Sequence, residues 1–187
     1  FAQVIRNGHL YKGYKPVHWC LDCRSALAEA EVEYEERTSP SIDVRFEVVD
    51  RADLARRCGL NALPPGRASI AIWTTTPWTL PANQAVALHP EFDYSLLAVD
   101  SADGAELLVL ASELAESVLK RAGATPLSEV ARVKGAALEG VVLQHPFYER
   151  QVPVILGDHV TLESGTGAVH TAPGHGQEDF VIGQRYG

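Results

Sequence analysis

Alternating apolar and polar side chains mark the first strands that the sequence predicts. In 42–49 apolar residues alternate with charged ones, and 32–37 shows a similar alternation. A period of two is typical of half-buried strands, so we predict a strand in each segment and a turn at 38–41. Further strands are predicted where short apolar runs end at Pro, Gly or Asp residues, namely 69–74, 84–88, 94–99, 106–110 and 152–156.

Helical spacing of apolar residues is rarer along the chain. A short helix is predicted over 50–58, closed by Gly59, and a second one follows Ser112 as its N-cap and ends before Gly123. A third helix is predicted over 177–186. Many short strands with few helices indicate an α+β fold whose core is a β-barrel-like mixed sheet, closed or nearly closed, with a few peripheral helices.

The composition is that of an ordinary globular protein. The 187 residues are 46% hydrophobic and 21% charged, which suits a single domain with a packed core. The sequence contains no apolar run of roughly 20 residues and no signal-peptide pattern, so we expect a soluble, cytoplasmic protein without membrane contact. Methionine is absent and the chain begins at Phe1, so we expect it to be a piece of a longer protein.

The charge limits the kind of partner that the chain can bind. The formal net charge is −8, and proteins that hold a long stretch of nucleic acid backbone need the opposite sign. We therefore expect any RNA contact to be local, such as a strand terminus that enters a pocket while other domains supply the main grip.

A first candidate loop follows the apolar strand 69–74. It reads Trp-Thr-Thr-Thr-Pro-Trp-Thr-Leu-Pro-Ala-Asn over 73–83 and combines four threonine hydroxyls with one carboxamide. Threonine has a stiff side chain that both donates and accepts hydrogen bonds, so a row of them can position a small polar ligand. Threonines also simply suit strands, but Pro77 and Pro81 end the strand here and favour a pocket.

A second candidate loop reads Gly-Thr-Gly-Ala-Val-His-Thr-Ala-Pro-Gly-His-Gly over 165–176. Its small residues let a ligand approach the backbone, and Gly174 and Gly176 permit positive φ angles. Asp179 falls in the first turn of the helix that follows, where it could pair with a bound ammonium group. The alternative is an ordinary favourable charge near a helix N-terminus.

His170 in the second loop admits three roles. As a metal ligand it would need His175 and Asp179, but this spacing matches no common ligand pattern. It could serve as a general base, since histidine titrates in the right pH range, or as a wall that sets the shape of the pocket and donates a hydrogen bond. We favour the wall. We interpret His175, His145 and His159 as loop histidines with satisfied hydrogen bonds.

The two loops resemble the editing-site loops of the isoleucyl-tRNA synthetases. The related valyl and leucyl enzymes have Thr-Thr-Arg-Pro followed by Glu or Asp in the first loop and Pro-Ala-His-Asp in the second, whereas this chain has Thr76-Pro77-Trp78. The resemblance extends to 19–34 and 157–160 and so spans essentially the whole chain. It implies the editing (connective polypeptide insertion) domain of this family, with the editing-domain fold of the valyl, isoleucyl and leucyl group.

The resemblance also implies an activity. An activation site can discriminate one methylene by only about 1–3 kcal/mol, a limit for which the isoleucyl enzymes are themselves the standard example. A second pocket would therefore hydrolyse valyl-tRNA(Ile) and valyl-adenylate while excluding isoleucine. The family's His-x-Gly-His and Lys-Met-Ser-Lys-Ser activation motifs are absent, so this aminoacyl-tRNA deacylase would not activate amino acids itself. The implied partners are the 3′ end of aminoacylated tRNA(Ile), valyl-adenylate and the catalytic domain of the parent ligase.

Matching positions carry over the family's site roles. Asp179 would hold the substrate ammonium group, and His170 with Thr76 would set the size limit. The remaining implied contacts to the ester, to the shape of the site and to the terminal adenosine are Thr74, Thr75, Thr79, Trp78, Asn83, Thr171, Ala172, Gly174 and Gly176. A positioned water assisted by a ribose hydroxyl would attack the ester without a covalent intermediate. A metal-dependent hydrolase and a non-catalytic module for tRNA ends are the alternatives.

The resemblance divides the chain into a stem or connecting segment, 1–37, and a barrel core, 38–187, that carries the site. Cys20 and Cys23 in the stem form half of a possible zinc site, but a closed site needs four ligands and only His9 and His18 lie near in sequence. Some relatives complete the site with cysteines of the returning strand. We favour a knuckle without metal, and no cofactor is needed for editing.

Overall fold

The computed structural model describes residues 1–187 and contains a two-stranded hairpin, a nine-stranded mixed sheet and four α-helices. The hairpin pairs β1 (His18–Cys20) with β2 (Ser25–Leu27). The strands of the large sheet are β3 (Ile42–Val48), β4 (Ala68–Thr74), β5 (Ala85–Leu88), β6 (Asp93–Ser101), β7 (Gly104–Ala111), β8 (Thr125–Lys134), β9 (Val142–Gln144), β10 (Gln151–Leu156) and β11 (Ala168–Thr171). The helices are α1 (Ala2–Arg6), α2 (Arg51–Arg57), α3 (Ala115–Ala122) and α4 (Gln177–Tyr186). Short 3₁₀ turns cover Glu29–Glu31, Pro77–Ala82 and Gly135–Leu138.

The large sheet is mixed and barrel-like, as the sequence predicted. Its strand order is β11-β5-β10-β9-β3-β4-β7-β6-β8, with parallel pairs at β5/β10 and β4/β7. Backbone hydrogen bonds do not close it, since β11 and β8 are both edge strands. However, β11 lies against β4 without pairing to it, so the strands from β11 to β4 curl around the core. This curvature brings the end of β4 next to β11.

The core forms where the curled strands face one another. Phe46 and Val48 of β3 are buried, while Arg45 and Glu47, which alternate with them, are exposed, so the predicted alternation is confirmed. β4 is buried at every position except Trp73, because the barrel interior covers one face and α3 packs near the other through Val118 and Leu119. Each large apolar side chain buried in this way contributes about 1.5–3 kcal/mol.

The predicted helices are confirmed, with one correction. α2 begins after Asp50, whose carboxylate accepts hydrogen bonds from the amides of Ala52 and Asp53. α3 ends at Gly123 in the left-handed conformation (φ 64°), but its N-cap is Leu114 and not the predicted Ser112. The Ser112 hydroxyl lies 2.7 Å from the Ser95 hydroxyl instead, because β7 continues to Ala111 and the helix starts later.

Two kinds of strand prediction were wrong. The segment 32–37 forms no strand, because alternation of side chains does not create a pairing partner. Conversely β8, β9 and β11 were not predicted. β8 is an edge strand with mostly exposed side chains, so it lacks an apolar pattern. β11 lies between the glycines and the single proline of the second loop, which do not indicate a strand.

The N-terminal segment stands apart from the core. None of the residues 1–41 is buried, and this segment forms only α1, the β1–β2 hairpin and one 3₁₀ turn. The boundary between 1–37 and 38–187 stays a prediction. None of the helices is long and apolar enough to span a membrane.

Candidate functional site

The two candidate loops meet at one cavity beside the end of β4. β4 ends at Thr74, the 3₁₀ turn Pro77–Ala82 follows it, and β11 and α4 supply the opposite side. The cavity has a volume of about 480 Å³. Its lining residues are Trp73, Thr74, Thr75, Thr76, Trp78, Thr79, Val169, His170, His175 and Asp179. Seven of the twelve residues that the sequence analysis proposed for the site are therefore part of the lining.

One side of the cavity, which we call the threonine wall, comprises residues 74–79 and is fixed by its own hydroxyl groups. The buried Thr74 hydroxyl accepts a hydrogen bond from the Thr76 amide at 3.0 Å. The Thr76 carbonyl accepts hydrogen bonds from the Thr79 amide at 3.0 Å and from the Thr79 hydroxyl at 2.8 Å. Pro77 at the start of the 3₁₀ turn supplies a φ angle that suits this position. The backbone of the wall is therefore set by local contacts, and the exposed side chains of Thr75 and Thr76 face solvent.

His170 joins the threonine wall to β11. Its Nε2 lies 2.8 Å from the Thr79 hydroxyl oxygen. Because the single hydroxyl proton of Thr79 is donated to the Thr76 carbonyl, Nε2–H must donate to Thr79, and Nδ1 accepts from Asn83 Nδ2 at 3.4 Å. Burial lowers the pKa of His170, and the nearby Asp179 charge opposes this effect more weakly. The ring is thus neutral with both nitrogens engaged, which suits a fixed wall and leaves no free base.

The other side of the cavity, which we call the Asp179 wall, comprises residues 171–179 and carries the only acidic group of the lining. Asp179 Oδ2 accepts a hydrogen bond from the Ala172 amide at 2.8 Å, while Oδ1 has no hydrogen-bond partner in the chain. Asp179 is the third residue of α4, where the helix dipole stabilises a negative charge. A half-buried carboxylate held by one oxygen can accept a cationic group with the other.

Five predicted site residues do not line the cavity. Asn83 is completely buried behind His170, and its Oδ1 has no partner. Thr171 faces the opposite way from its neighbour His170, because side chains alternate along β11, and it lines a separate cavity of about 430 Å³. Ala172 is also fully buried and contributes its amide to Asp179. Gly174 and Gly176 belong to the Asp179 wall but do not line the cavity.

Gly174 and Gly176 permit positive φ angles but do not adopt them. Neither glycine has a positive φ, whereas Gly165 and Gly167 do, at 84° and 75°. A Cβ at Gly167 would lie 2.3 Å from the Ala111 Cβ, so glycine is needed there for close approach. Positive φ angles therefore occur just before β11, where the chain enters the sheet, and not after it.

Sequence reasoning missed three lining residues, Trp73, Val169 and His175. The sequence favours a loop histidine with satisfied hydrogen bonds at His175, but its exposed side chain lies on the cavity. The residue types themselves gave no signal. Only the proximity of β4 and β11 would have identified them.

The residues present do not fit a metal site. No group of three or more His, Cys, Asp or Glu side chains is arranged to hold a metal ion, although His170, His175 and Asp179 share one cavity. In the N-terminal segment, the Cys23 amide donates to Cys20 Sγ at 3.3 Å, a contact that lowers the pKa of Cys20. These two thiols supply half of the four ligands of a closed zinc site.

Known proteins resemble the chain in sequence and in fold. The family model of the class I tRNA synthetases (I, L, M and V) matches residues 1–162. The chain is 63% identical over 186 residues to the isoleucine–tRNA ligase of Thioalkalivibrio sulfidiphilus and 64% identical over 188 residues to that of Methylococcus capsulatus. Each match covers 100% of this chain but 19% and 20% of those proteins, so the chain spans about a fifth of the length of the curated relatives it matches.

Solved structures support the same fold. The editing domain of the P. knowlesi cytosolic leucyl-tRNA synthetase superposes with a TM-score of 0.66 at 12% identity, over 83% of this chain and 68% of that one. The corresponding P. falciparum domain gives a TM-score of 0.63 at 12% identity, over 75% and 63%. At such low identity the likeness concerns the fold alone.

Proposed function

Because the chain belongs to the class I tRNA synthetases and is the editing domain of an isoleucyl-tRNA synthetase, we propose that it hydrolyses the ester that joins valine to tRNA(Ile). Valyl-adenylate is a second proposed target, and isoleucine is excluded by size. The proposal rests chiefly on one observation: the free Asp179 oxygen and the rigid Thr79–His170 pair face the same cavity. In the cytoplasm, the catalytic domain of the parent enzyme would present the 3′ end of the aminoacylated tRNA.

Asp179 would recognise the amino group of the substrate. Its Oδ2 is occupied by the Ala172 amide, so its orientation is fixed before the substrate arrives. An ammonium group that hydrogen-bonds to the other oxygen would contribute about 1.5–3 kcal/mol. This contact would place every aminoacyl ester in the same orientation, whatever its side chain.

The size limit would come from His170 and Thr76. The His170 ring is 7% exposed and is held through both of its nitrogens, so it cannot turn away from a larger ligand at low cost. One additional methylene against a fixed wall is worth about 1–3 kcal/mol, or roughly 10- to 200-fold in rate. A rigid wall would therefore slow the release of isoleucine relative to valine by about this factor, in addition to the discrimination at the activation site.

Hydrolysis would proceed by direct attack of water. The water oxygen bonds to the ester carbonyl carbon, and the bond between that carbon and the ribose oxygen breaks. The ribose oxygen takes up a proton that the attacking water gives up. His170 Nε2 already donates to Thr79, so we assign the relay of this proton to the neighbouring ribose hydroxyl of the tRNA. The threonine wall would orient the water and the carbonyl through the hydroxyls of Thr75 and Thr76, the second of which lies 3.3 Å from the Thr74 hydroxyl, and such orientation alone lowers a barrier substantially.

A short aminoacylated analogue of the tRNA 3′ end tests the proposal. We expect the chain to release valine at least about 10-fold faster than isoleucine, as one methylene allows. The variant His170→Ala should narrow this ratio by releasing isoleucine as well. Equal hydrolysis of both esters by the unaltered chain would contradict the size limit.

Two further outcomes identify the alternatives. Binding of the analogue without release of valine would indicate a non-catalytic module for tRNA ends. Loss of release with a chelator and its recovery with zinc would indicate a metal-dependent hydrolase that uses His170, His175 and Asp179.

A further inference from the structure

His145 is a second buried histidine, outside the lining of the candidate cavity. It follows β9 directly and is 2% exposed. Its ring contacts the rings of Phe46, Phe147 and Tyr148, with centroids 6.1, 4.6 and 5.1 Å away. The ring is therefore held in one place by aromatic side chains, and a rotation would require all of them to move.

The hydrogen bonds of His145 define which nitrogen carries the proton. Nε2 lies 2.9 Å from the carbonyl oxygen of Leu80, and a carbonyl oxygen can only accept, so Nε2–H donates. Nδ1 accepts from the amides of Phe147 and Tyr148 at 3.4 and 3.2 Å. One nitrogen thus organises the loop that follows His145, and the other reaches across to the 3₁₀ turn of the first candidate loop.

Arg150 makes a parallel contact to the next carbonyl of the same turn. Its guanidinium donates to the carbonyl oxygen of Pro81 at 2.9 Å. Two side chains from the loop 145–150 therefore bind consecutive carbonyls, those of Leu80 and Pro81. The Leu80 carbonyl also accepts a hydrogen bond from the Asn83 amide at 2.9 Å inside the turn, and the two side chains add contacts that connect this end of the turn to the loop 145–150.

The turn held in this way carries Thr79. Leu80 is buried and directly follows Thr79, whose hydroxyl joins Thr76 to His170. We propose that His145 is a positioning residue of the editing site, since its Nε2–H bond to the Leu80 carbonyl sets the 3₁₀ turn so that Thr79 meets His170. Arg150 supports the same turn from its solvent side. This inference rests on the proposed function for its catalytic consequence and on the contacts above for its structural content.

Two substitutions separate the two nitrogens of His145. His145→Asn keeps an acceptor near the position of Nδ1 but has no donor that reaches Leu80, whereas His145→Gln keeps a donor near the position of Nε2. We expect kcat for release of valine to fall about 10-fold in the Asn variant with little change in KM, because small displacements of oriented groups are costly. The Gln variant should stay within about 3-fold of the unaltered chain.

A structural readout makes the test independent of activity. The amide signals of Thr79 and Leu80 and the indole signal of Trp78 should shift in NMR spectra of the Asn variant and stay in place in the Gln variant. If the unaltered chain releases no valine, the proposed function fails, while these signals still decide the positioning role. Equal kcat losses in both variants, or unchanged signals and kcat in the Asn variant, would overturn the inference.

If His145→Asn does not fold, Arg150→Met tests the same positioning of the turn through the contact of Arg150 to the Pro81 carbonyl. It keeps the apolar stem and removes the donor to the Pro81 carbonyl. We expect a smaller loss of kcat, about 3-fold, with shifts confined to the same three signals. An Arg150→Met variant with unchanged signals and unchanged kcat would contradict the view that the loop 145–150 positions the turn.

Discussion

The two walls of the cavity are held in place by different means. The threonine wall is fixed by hydrogen bonds among its own residues and by His145 and Arg150 behind it. The Asp179 wall has no comparable network: Asp179 is held by one amide and by the packing of α4. The threonine wall therefore has a fixed shape, whereas the position of the Asp179 wall depends on where α4 lies. This difference predicts that substitutions on the two sides will affect the site in different ways.

Removal of the Asp179 charge should have the largest effect. In Asp179→Ala the proposed ammonium contact is lost, and we expect kcat/KM for the valyl ester to fall about 10- to 100-fold, as for a charged hydrogen bond. Release rates of the valyl and isoleucyl esters measured side by side would show whether both fall together, since the ammonium group is common to both.

Glu178→Ala is the matched control for this substitution. Glu178 precedes Asp179 in the first turn of α4 but does not line the cavity. The Glu178→Ala variant also loses one negative charge at the same helix terminus, but its activity should stay close to that of the unaltered chain. An equal loss in both variants would show that general charge, and not the Asp179 contact, matters.

A displacement of α4 should have an intermediate effect. A Cβ at Gly183 would lie 2.9 Å from Pro173 Cγ, which is too close, so Gly183→Ala should move the helix that carries Asp179. The helix propensity of alanine offsets about 1 kcal/mol of the overpacking cost, so we expect a small change in the free energy of unfolding but about a 10-fold loss of valine release.

Gly174→Ala tests whether the loop or the helix is responsible. A Cβ at Gly174 meets no atom within 4 Å, and the residue does not have a positive φ. We expect unchanged release and unchanged thermal stability. If Gly183→Ala also leaves release unchanged, the position of α4 does not control the Asp179 wall.

The pH dependence of stability should show the smallest effect, and it arises at His170, which joins the threonine wall to β11. Burial places the folded-state pKa of His170 below its ordinary value, which is about 6.5. As the pH falls below about 6.5, the unfolded chain therefore takes up a proton before the folded chain does, and the free energy of unfolding decreases. Above that pH the contribution is constant.

His170→Gln isolates this contribution, because glutamine has a similar reach but does not titrate. Denaturant unfolding at several pH values between about 5 and about 7.5 should give a shallower pH dependence for the variant than for the unaltered chain. Identical slopes would mean that His170 is protonated equally in both states, which would contradict its burial as a neutral wall.

The sequence predicted the strands that have a clear apolar pattern and the helices that have recognisable ends. β3, β4 and β10 have apolar patterns that a burial argument can detect, and α2 and α4 begin and end near the predicted residues. β8 was missed because an exposed edge strand has no apolar pattern. The segment 32–37 was wrongly predicted because local alternation contains no information about a partner strand.

For the candidate site, the residue types indicated which loops to consider, but the geometry of the site could not be predicted from the sequence. The loops 73–83 and 165–176 were identified from hydroxyl and glycine content, and the structure brings them to one cavity. The opposite orientation of His170 and Thr171 depends on β11, which was not predicted. The role of His145 depends on a contact to Leu80 that joins residues far apart in sequence, and no local pattern reports such a contact.

The position of β5 in the sheet has a consequence for the order of folding. β5 follows the threonine wall in sequence but pairs only with β10 and β11, which come much later in the chain. Pairings between distant segments form slowly, because the intervening chain must lose entropy before the contact is gained. During synthesis, β5, which follows the first loop, therefore has no partner strand until β10 and β11 have been made. A nascent chain that has not reached β11 lacks both His170 and Asp179, so hydrolytic activity should appear only when the whole sheet is complete.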